Sequence, residues 1–500
     1  MTPAQPSRAA APRIYYVHPH AIDGESLVDR MAERAADLGF DHLLIAPIFQ
    51  QDGDVFRPRN HDVSSIGNVP TTEAIGRLAA ACRSHGLRLL MDLDPGRFDA
   101  EHPLVAAHPD AFTLRREAPI DRPVDPRLAS PPQGVALARL REPAAGDTVM
   151  DWIASRAEAW IEAGLDGFRL LELQQGPPEV WTRLIARLRT SRQDVTCIAA
   201  TPGMNREAAL SLASCGFDAL ISSVAWWDGR APWIAEEHED LRLIAPLIAQ
   251  PEAPFGPRLA TRLPAGADTR AGYVRALRLA ASTGSGLLLP MGFESAERLP
   301  LGAATSPAAE DSDLAAEVRS ANRLVAELAP FEGEMRMLTG PGASATALLR
   351  ASGSDMRTAE AAILVLINRS LECPAELDRG AILPAAGAFG PFEAMDSRED
   401  PFEALAPGEV RLLGARRSAV IRVPSRAGRQ GAKTAAKAPR LVIEDISPRV
   451  SGGPFAAKRI VGETVEVGAA VYADGHEQLA VELRWPVSYT HLTLPTIYSV

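Results

Sequence analysis

Several charged residues lie at the ends of short apolar runs, where they could act on a bound molecule. Asp92 is near the end of the run 87–93, Arg169 lies within the run 167–171, and Glu172 follows it directly. Carboxyl groups in such places can transfer protons or attack a substrate as nucleophiles. A carboxylate buried beside a guanidinium instead forms a charge-assisted pair that stabilises the fold. For Asp92 and Arg169 we favour this structural pair.

Histidines and acidic turns show no pattern typical of a metal site. His18, His20, His61 and His85 lack metal-ligand spacing, and a lone histidine is more often an ordinary hydrogen-bonded group. The stretch Asp52-Gly-Asp54 is too short for a calcium-binding loop. The sequence therefore predicts no metal and no cofactor.

Eight short apolar runs alternate with amphipathic helical stretches and must position these residues. Strands that alternate with helices pair in parallel, and eight repeats fit a closed barrel better than an open sheet, although a doubly wound sheet stays open as an alternative. We predict an α/β fold with a (β/α)8 barrel. The predicted strands are 14–17, 42–47, 87–93, 167–171, 195–200, 219–222, 258–261 and 286–290.

The pattern changes after the eighth run, and this change predicts further domains. Residues 314–328 read as a helix, and 361–368 and 410–423 as strands of a small β domain. A stretch rich in Ala, Gly, Lys and Arg follows and is typical of a flexible tether. The predicted divisions are a disordered tail 1–12, the barrel 13–303 with an inserted loop at about 99–147, the helix and small β domain 304–423, a linker 424–440, the beginning of a truncated β-sandwich 441–486 and a non-native tail 487–500.

The composition of the chain limits which partners and which cellular compartment are expected for the protein. The chain has 500 residues, with 52 basic against 63 acidic side chains and a net charge of -11, which would repel the phosphates of a nucleic acid. No apolar run is long enough to cross a membrane, and no signal peptide is recognisable. The four cysteines are far apart in sequence, which is typical of reduced thiols. We expect a cytoplasmic protein with no nucleic-acid or membrane partner.

Four motifs resemble those of the α-amylase superfamily, in the family's order. The most specific is Gly164-Leu-Asp-Gly-Phe-Arg-Leu-Leu-Glu172, which is similar to the fourth-strand motif. Asp92-Leu-Asp-Pro-Gly-Arg97 resembles the third-strand motif, and Pro290-Met-Gly-Phe-Glu294 resembles the ending of the eighth strand. Arg59-Asn-His-Asp62 resembles a worn second-strand motif. This resemblance implies an amylase-type barrel. Such a barrel either acts on α-glucans or derives from enzymes that do.

The end of the chain resembles a narrower family. The segments 446–450, 453–463 and 472–476 are similar to the start of the N-terminal β-sandwich of the α-1,4-glucan:maltose-1-phosphate maltosyltransferases. The resemblance implies an extra amylase-like region that precedes a maltosyltransferase, and it names α-glucan or maltooligosaccharide as a partner.

Within the superfamily resemblance, both catalytic carboxyl groups are missing. A retaining glycosidase needs two carboxyl groups about 5 Å apart. The family's nucleophile lies two residues beyond the fourth-strand Arg169, where this chain has Leu171, and Ala200 stands where the fifth-strand acid belongs. Because strand side chains alternate between faces, Glu172 should face away from the barrel mouth. The resemblance therefore implies an inactive barrel.

Other family positions are partly retained. The third-strand Asn and His are replaced by Gly96 and Arg97, and Ala267 stands where the helper histidine belongs. The resemblance marks Asp92, Arg169 and Asp268 as retained family residues. The candidate sugar contacts, for which ordinary packing is the alternative, are His61, Asp62, Trp226 and Trp227, with Trp233 nearby.

Three functions follow as hypotheses. The first is a non-catalytic, amylase-like region of a maltosyltransferase that binds glucan or acts as a scaffold. The second is an active glycoside hydrolase or glycosyltransferase whose carboxyl groups lie elsewhere, and the third is a purely structural module that contacts protein. The oligomeric state stays open.

Overall fold

The structure is a computed structural model. It describes residues 11–21, 25–116, 134–302, 314–396, 399–418, 441–448 and 464–473, and the single residues 479 and 481. The chain divides into two compact units, Met1–Ser418 and Ala419–Val500. The predicted linker 424–440 and the tail 487–500 lie outside the described residues, as does most of the tail 1–12.

The bounds of the secondary structure follow chain order in the part of the chain described. The strands are β1 Arg13–Val17, β2 His42–Ile45, β3 Phe49–Gln51, β4 Pro58–Ser64, β5 Arg88–Leu93, β6 Arg97–Asp99, β7 Phe112–Arg116, β8 Gly134–Ala138, β9 Gly167–Leu170, β10 Thr196–Ala199, β11 Ala219–Ile221, β12 Leu247–Ala249, β13 Gly286–Pro290, β14 Met335–Met337, β15 Ala345–Ala351, β16 Ala361–Asn368, β17 Glu393–Ala394, β18 Val410–Arg416, β19 Leu441–Ser447 and β20 Gly468–Ala473. The helices are α1 Glu25–Asp37, α2 Thr71–Ser84, α3 Pro103–Ala107, α4 Pro143–Glu162, α5 Pro178–Ser191, α6 Arg206–Leu210, α7 Trp233–Leu241, α8 Leu259–Arg262, α9 Thr269–Thr283, α10 Ala315–Glu327 and α11 Arg379–Ala385.

Eight parallel strands close into a barrel in the order β1-β13-β12-β11-β10-β9-β5-β2. The predicted barrel is therefore confirmed, and the open-sheet alternative is excluded. Side chains alternate between two apolar layers, as the strand period requires. One layer fills the interior of the barrel with residues such as Ile14, Leu44, Ile198 and Leu288. The other layer lies between the strands and the surrounding helices.

The predicted seventh strand at 258–261 is wrong. The seventh barrel strand is β12, and residues 259–262 form the single helical turn α8. The sequence pattern did not indicate the strand Leu247–Ala249, because it is short and has prolines on both sides. The turn at α8 is stabilised by an ion pair between Arg258 Nε and Glu252 Oε1 at 3.1 Å, and both side chains are buried.

Two small antiparallel sheets follow barrel strands, at the carboxyl ends of those strands. The strands β3 and β4 form an antiparallel hairpin after β2. A three-stranded sheet in the order β6-β8-β7 lies between β5 and α4, inside the segment where an insertion was predicted. Residues 117–133 of that segment lie outside the described residues.

A five-stranded antiparallel sheet in the order β14-β15-β16-β18-β17 follows the barrel and has its own apolar core. This confirms the predicted small β domain. Arg350 of β15 is buried, and it donates hydrogen bonds from Nη1 to the carbonyl oxygens of Ser282 and Gly284, where α9 ends. Burial lowers the pKa of Arg350 to about 10.

In the second unit, β19 and β20 pair in antiparallel fashion. Several large apolar side chains on or beside these strands are exposed in the described part of the unit, among them Ile443, Ile446 and Tyr472.

Candidate functional site

Three barrel strands bring Tyr16, Asp92 and Arg169 together inside the barrel. Arg169 donates to Asp92 through Nε and Nη2, both at 2.7 Å, and the Tyr16 hydroxyl donates to Asp92 Oδ2 at 2.7 Å. Burial and the adjacent carboxylate raise the pKa of Tyr16 well above its ordinary value. Burial alone would lower the pKa of Arg169, but the Asp92 carboxylate raises it. Asp92 is thus held as a fully paired carboxylate, as expected of a structural ion pair.

The register places Leu171 and Ala200 at the edge of the barrel mouth. Phe168 and Leu170 pack in the layer between strands and helices, whereas Arg169 faces the interior. By alternation, Leu171 continues on the interior side. The backbone N–H of Leu171 donates to Leu93 O, and that of Ala200 donates to Leu170 O, each at 3.0 Å, so both residues extend the sheet beyond the strand ends. Each side chain is partly exposed and aliphatic.

The neighbouring acid, Glu172, does not enter the barrel. It is exposed, its backbone is left-handed with φ of 52°, and its Oε2 accepts a hydrogen bond from Gln174 Nε2 at 2.8 Å. Strand alternation is not the reason that Glu172 turns away from the interior, because β9 ends at Leu170 and the chain has left the strand conformation before Glu172.

A carboxyl group that the sequence analysis missed is at the mouth. Asp94 lies two residues beyond Asp92, on the same side by alternation, and is buried. Its Oδ1 accepts the backbone N–H of Gly96 at 3.0 Å. Burial raises the pKa of Asp94 to about 7, and the Glu172 carboxylate adds to this rise. Asp94 can therefore hold or release a proton near neutral pH.

Asp268 is not at the end of a barrel strand, so its assignment as a retained family residue is corrected. It is exposed and is the N-cap of α9, where its Oδ1 accepts the backbone N–H of Ala271 at 3.1 Å. Ala267 precedes it in the same loop. The residues that follow the true seventh strand include Gln250 and Glu252, both buried. Gln250 Oε1 has no hydrogen-bond partner among the described residues.

Aromatic side chains from two loops cover the interior pair. Phe255, from the loop after β12, packs edge-on against Tyr16 with ring centroids 5.9 Å apart. Phe56, from the turn of the β3–β4 hairpin, meets Phe255 at 4.9 Å. The neighbouring Val55 belongs to the apolar cluster of the barrel interior. Tyr16 and Asp92 are both fully buried, and Phe255 packs directly on the Tyr16 ring.

His61 and Asp62 do not form a sugar-binding surface. His61 is only 1% exposed and stacks among Phe49, Trp160 and other rings, so its assignment as a substrate contact is wrong. Asp62 is exposed, but its Oδ1 is paired with Arg156 Nε at 3.1 Å. Alternation along β4 explains the difference, because adjacent residues face opposite sides of the hairpin.

The hydrogen bonds of His61 determine where its proton lies. The backbone N–H of Leu104 donates to His102 Nδ1 at 3.1 Å, so the His102 proton is on Nε2. That Nε2 lies 3.0 Å from His61 Nδ1, which must accept, and the His61 proton is therefore on Nε2. Burial lowers the pKa of His61 well below its ordinary value, and burial with the Arg156 charge lowers the pKa of His102 to about 4.

We expect this histidine pair to make the fold sensitive to acid. In the unfolded chain both rings bind a proton near pH 6.5, but in the fold they stay neutral, so stability falls as pH decreases from about 6.5 towards 4. Melting temperatures measured across this range should drop more steeply for the parent than for His102→Gln. His108→Gln, an exposed histidine nearby, is the control and should keep the parental slope. Equal slopes in all three proteins would contradict this prediction.

The tryptophans after the sixth strand differ in exposure. Trp226 ends a 3-10 turn, Val224–Trp226, and its side chain is 52% exposed. Trp227 is 8% exposed and its Nε1 donates to Ala231 O at 2.8 Å, so its assignment as a sugar contact is wrong. Trp233 is half-buried at the start of α7. Trp226 therefore carries the indole face that remains free for stacking.

Comparison with known proteins shows which proteins this chain resembles. Residues 439–493 match the family model for domain N/S of alpha-1,4-glucan:maltose-1-phosphate maltosyltransferase. The chain is 36% identical to this maltosyltransferase from Burkholderia pseudomallei (strain K96243) over 514 aligned residues, which cover 95% of the chain and 44% of the relative. The resemblance to the maltosyltransferases is confirmed. The chain spans less than half the length of that relative. The enzyme of the same name from Rhodospirillum rubrum is 56% identical over 45 residues, which is 9% of this chain and 6% of the relative.

Solved structures confirm the amylase-type fold. The α-amylase from Geobacillus thermoleovorans complexed with acarbose superposes with a TM-score of 0.60 at 14% identity, covering 82% of this chain and 99% of that one. The trehalose-6-phosphate hydrolase from Bacillus licheniformis gives a TM-score of 0.62 at 12% identity, covering 83% and 100%. At these identities the likeness concerns the fold alone.

Two features of the described residues bear on metals and membranes. In that part of the chain, no group of three or more His, Cys, Asp or Glu side chains is arranged to hold a metal ion. The helices found there are all too short or too polar to span a bilayer. All four cysteines are free thiols, of which Cys373 is exposed and the others are buried.

Proposed function

We propose that the barrel is a non-catalytic, glucan-binding region of a maltosyltransferase polypeptide. The observation that carries the proposal is the pairing of Asp92 with Arg169 beneath the aromatic cover, with Leu171 and Ala200 at the mouth. The maltosyltransferase relatives supply the substrate class, α-1,4-glucan. The division into a barrel at 13–303, a β domain to 423 and the beginning of a β-sandwich after 440 is part of this proposal.

An enzymatic assay tests the non-catalytic part. The purified chain, given maltoheptaose alone or together with maltose 1-phosphate, should release neither reducing sugar nor phosphate above the buffer control. Loss of both a general acid and a covalent nucleophile removes the mechanism, and loss of the acid alone costs roughly 10²- to 10⁴-fold in rate.

A second candidate function is glycoside cleavage by other carboxyl groups. It is favoured by Asp94, which is buried at the mouth, has a pKa raised to about 7 and interacts with the Glu172 carboxylate. If the chain shows activity that Asp94→Asn and Glu172→Gln abolish, this candidate replaces the first. Asp268→Asn changes an exposed helix cap and is the matched control, which should keep any activity present.

Glucan binding should depend on Trp226. An exposed indole gains about 0.5–1.5 kcal/mol by stacking on a flat partner, so Trp226→Ala should weaken maltoheptaose binding about two- to twelvefold in calorimetry. Leu243→Ala, which removes an exposed apolar side chain before β12, should leave the affinity unchanged. If the parent chain binds no maltoheptaose at millimolar concentration, only the structural, protein-contacting role remains.

A further inference from the structure

A polar pocket of about 320 Å³ opens beside the β3–β4 hairpin. It contains none of Tyr16, Asp92 and Arg169, and neither Phe56 nor Phe255 borders it. Its lining comes from the loop after β1, from the hairpin and from the segment before α2, namely Pro19, His20, Gln50, Gln51, Ser64, Ser65, Ile66 and Asn68.

The hairpin is irregular at this pocket. In a regular strand, successive side chains face opposite sides, so two consecutive residues should not border one pocket. The register of β3 against β4 shifts between Phe49 and Gln50 and again between Gln50 and Gln51. Such irregularities redirect side chains. Here both Gln50 and Gln51 line the same pocket.

The lining offers hydrogen bonds without charge. None of its side chains carries a permanent charge, and the amides and hydroxyls can both donate and accept. Gln51 Oε1 is buried and has no partner among the described residues. Ser64 Oγ accepts the backbone N–H of Ile66 at 3.0 Å, which leaves its hydroxyl proton to donate. His20 lies within hydrogen-bonding distance of Gly302 O through Nδ1, at 3.2 Å, which leaves Nε2 as an acceptor.

These groups match a neutral, polyhydroxylated ring. A phosphate or carboxylate would find no guanidinium or ammonium group in the lining, whereas sugar hydroxyls need partners of both kinds. Pro19 and Ile66 add apolar surface for the C–H face of such a ring. The volume lies at the lower end of the range for small-molecule pockets and suits one or two sugar rings.

We propose that this pocket binds a glucose unit of an α-glucan chain, through residues other than Tyr16, Asp92 and Arg169 of the barrel interior. The inference rests on the proposed function, because that function supplies the sugar. The pocket binds the ring through the paired amides of Gln50 and Gln51.

Calorimetric titration of the full chain with maltotriose tests this site. Gln51→Leu removes the amide and should weaken binding about fivefold, the effect of one neutral hydrogen bond. Asn68→Gly is a second variant, because glycine tolerates the positive φ of 50° at this residue while the amide is lost. Gln193→Leu makes the same change at an exposed glutamine before β10 and should bind like the parent.

The outcomes separate the two proposals. If the parent binds maltotriose and both pocket variants bind equally well, the pocket assignment is overturned while the glucan-binding function stands. If the parent binds maltoheptaose but no maltotriose, the pocket assignment is overturned, and if it binds neither sugar, the proposed function fails. If inorganic phosphate competes with maltotriose, the inference that the pocket binds a neutral ligand is overturned.

Discussion

Replacing Arg169 by methionine should lower the free energy of unfolding by about 3–5 kcal/mol, because it leaves the buried Asp92 carboxylate with only the Tyr16 hydroxyl as a partner. Urea unfolding followed by tryptophan fluorescence measures this loss. Replacing both charged residues, as Arg169→Met with Asp92→Leu, should restore much of the stability, since no uncompensated charge then remains in the interior.

Arg187 provides the matched control for this experiment. It donates to Glu158 through Nε at 2.7 Å and Nη2 at 2.9 Å, the same two-point geometry, but between helices at the protein surface. Water already solvates those charges, so Arg187→Met should cost less than about 1 kcal/mol. If Arg169→Met proves no more costly than Arg187→Met, the interior pair is not the structural element that we describe.

Gly167→Ala should destabilise the barrel by about 3 kcal/mol or more. Gly167 begins β9, and a Cβ added there would lie 2.0 Å from the carbonyl oxygen of Thr196 in the neighbouring strand. That neighbour is backbone, so relief requires movement of β10 and disturbs the paired strands around Arg169. Thermal or urea unfolding measures the loss.

Gly340→Ala is the control for the glycine variant. Gly340 lies in a loop before β15, and an added Cβ would meet no atom within 4 Å. We expect a change within about 0.5 kcal/mol. A similar small change for Gly167→Ala would mean that the β9–β10 contact is looser than the structure indicates.

The barrel could be predicted because its strands are short apolar runs separated by amphipathic helices, a pattern that depends on nearby residues only. The same reasoning failed at the seventh strand. The strand Leu247–Ala249 has only three residues and lies between Pro246 and Pro251, whereas Arg258 and the residues after it form a run of similar apolar character. Because the seventh strand was placed too late in the sequence, Asp268 was wrongly assigned to the residues that follow it.

At the site, the chemistry of a buried carboxylate beside a guanidinium predicted a pair of Asp92 and Arg169, and Arg169 donates two hydrogen bonds to Asp92 in the structure. Alternation could also have found Asp94, which lies two residues beyond Asp92. The contact of Phe255 with Phe56 could not be predicted, because two loops far apart in sequence meet only when the barrel closes. Nor does sequence indicate which of the adjacent Trp226 and Trp227 is buried, since that depends on the carbonyl that receives the indole proton.

Arg350 has a consequence for how the protein unfolds. Arg350, in the β sheet that follows the barrel, donates to the carbonyl oxygens of Ser282 and Gly284 at the end of α9. The barrel and the sheet therefore satisfy each other's buried polar groups. Separating them would strand a buried guanidinium on one side and unsatisfied carbonyls on the other. Barrel and sheet should therefore denature in one cooperative step, and a fragment that ends before β14 should be prone to aggregation.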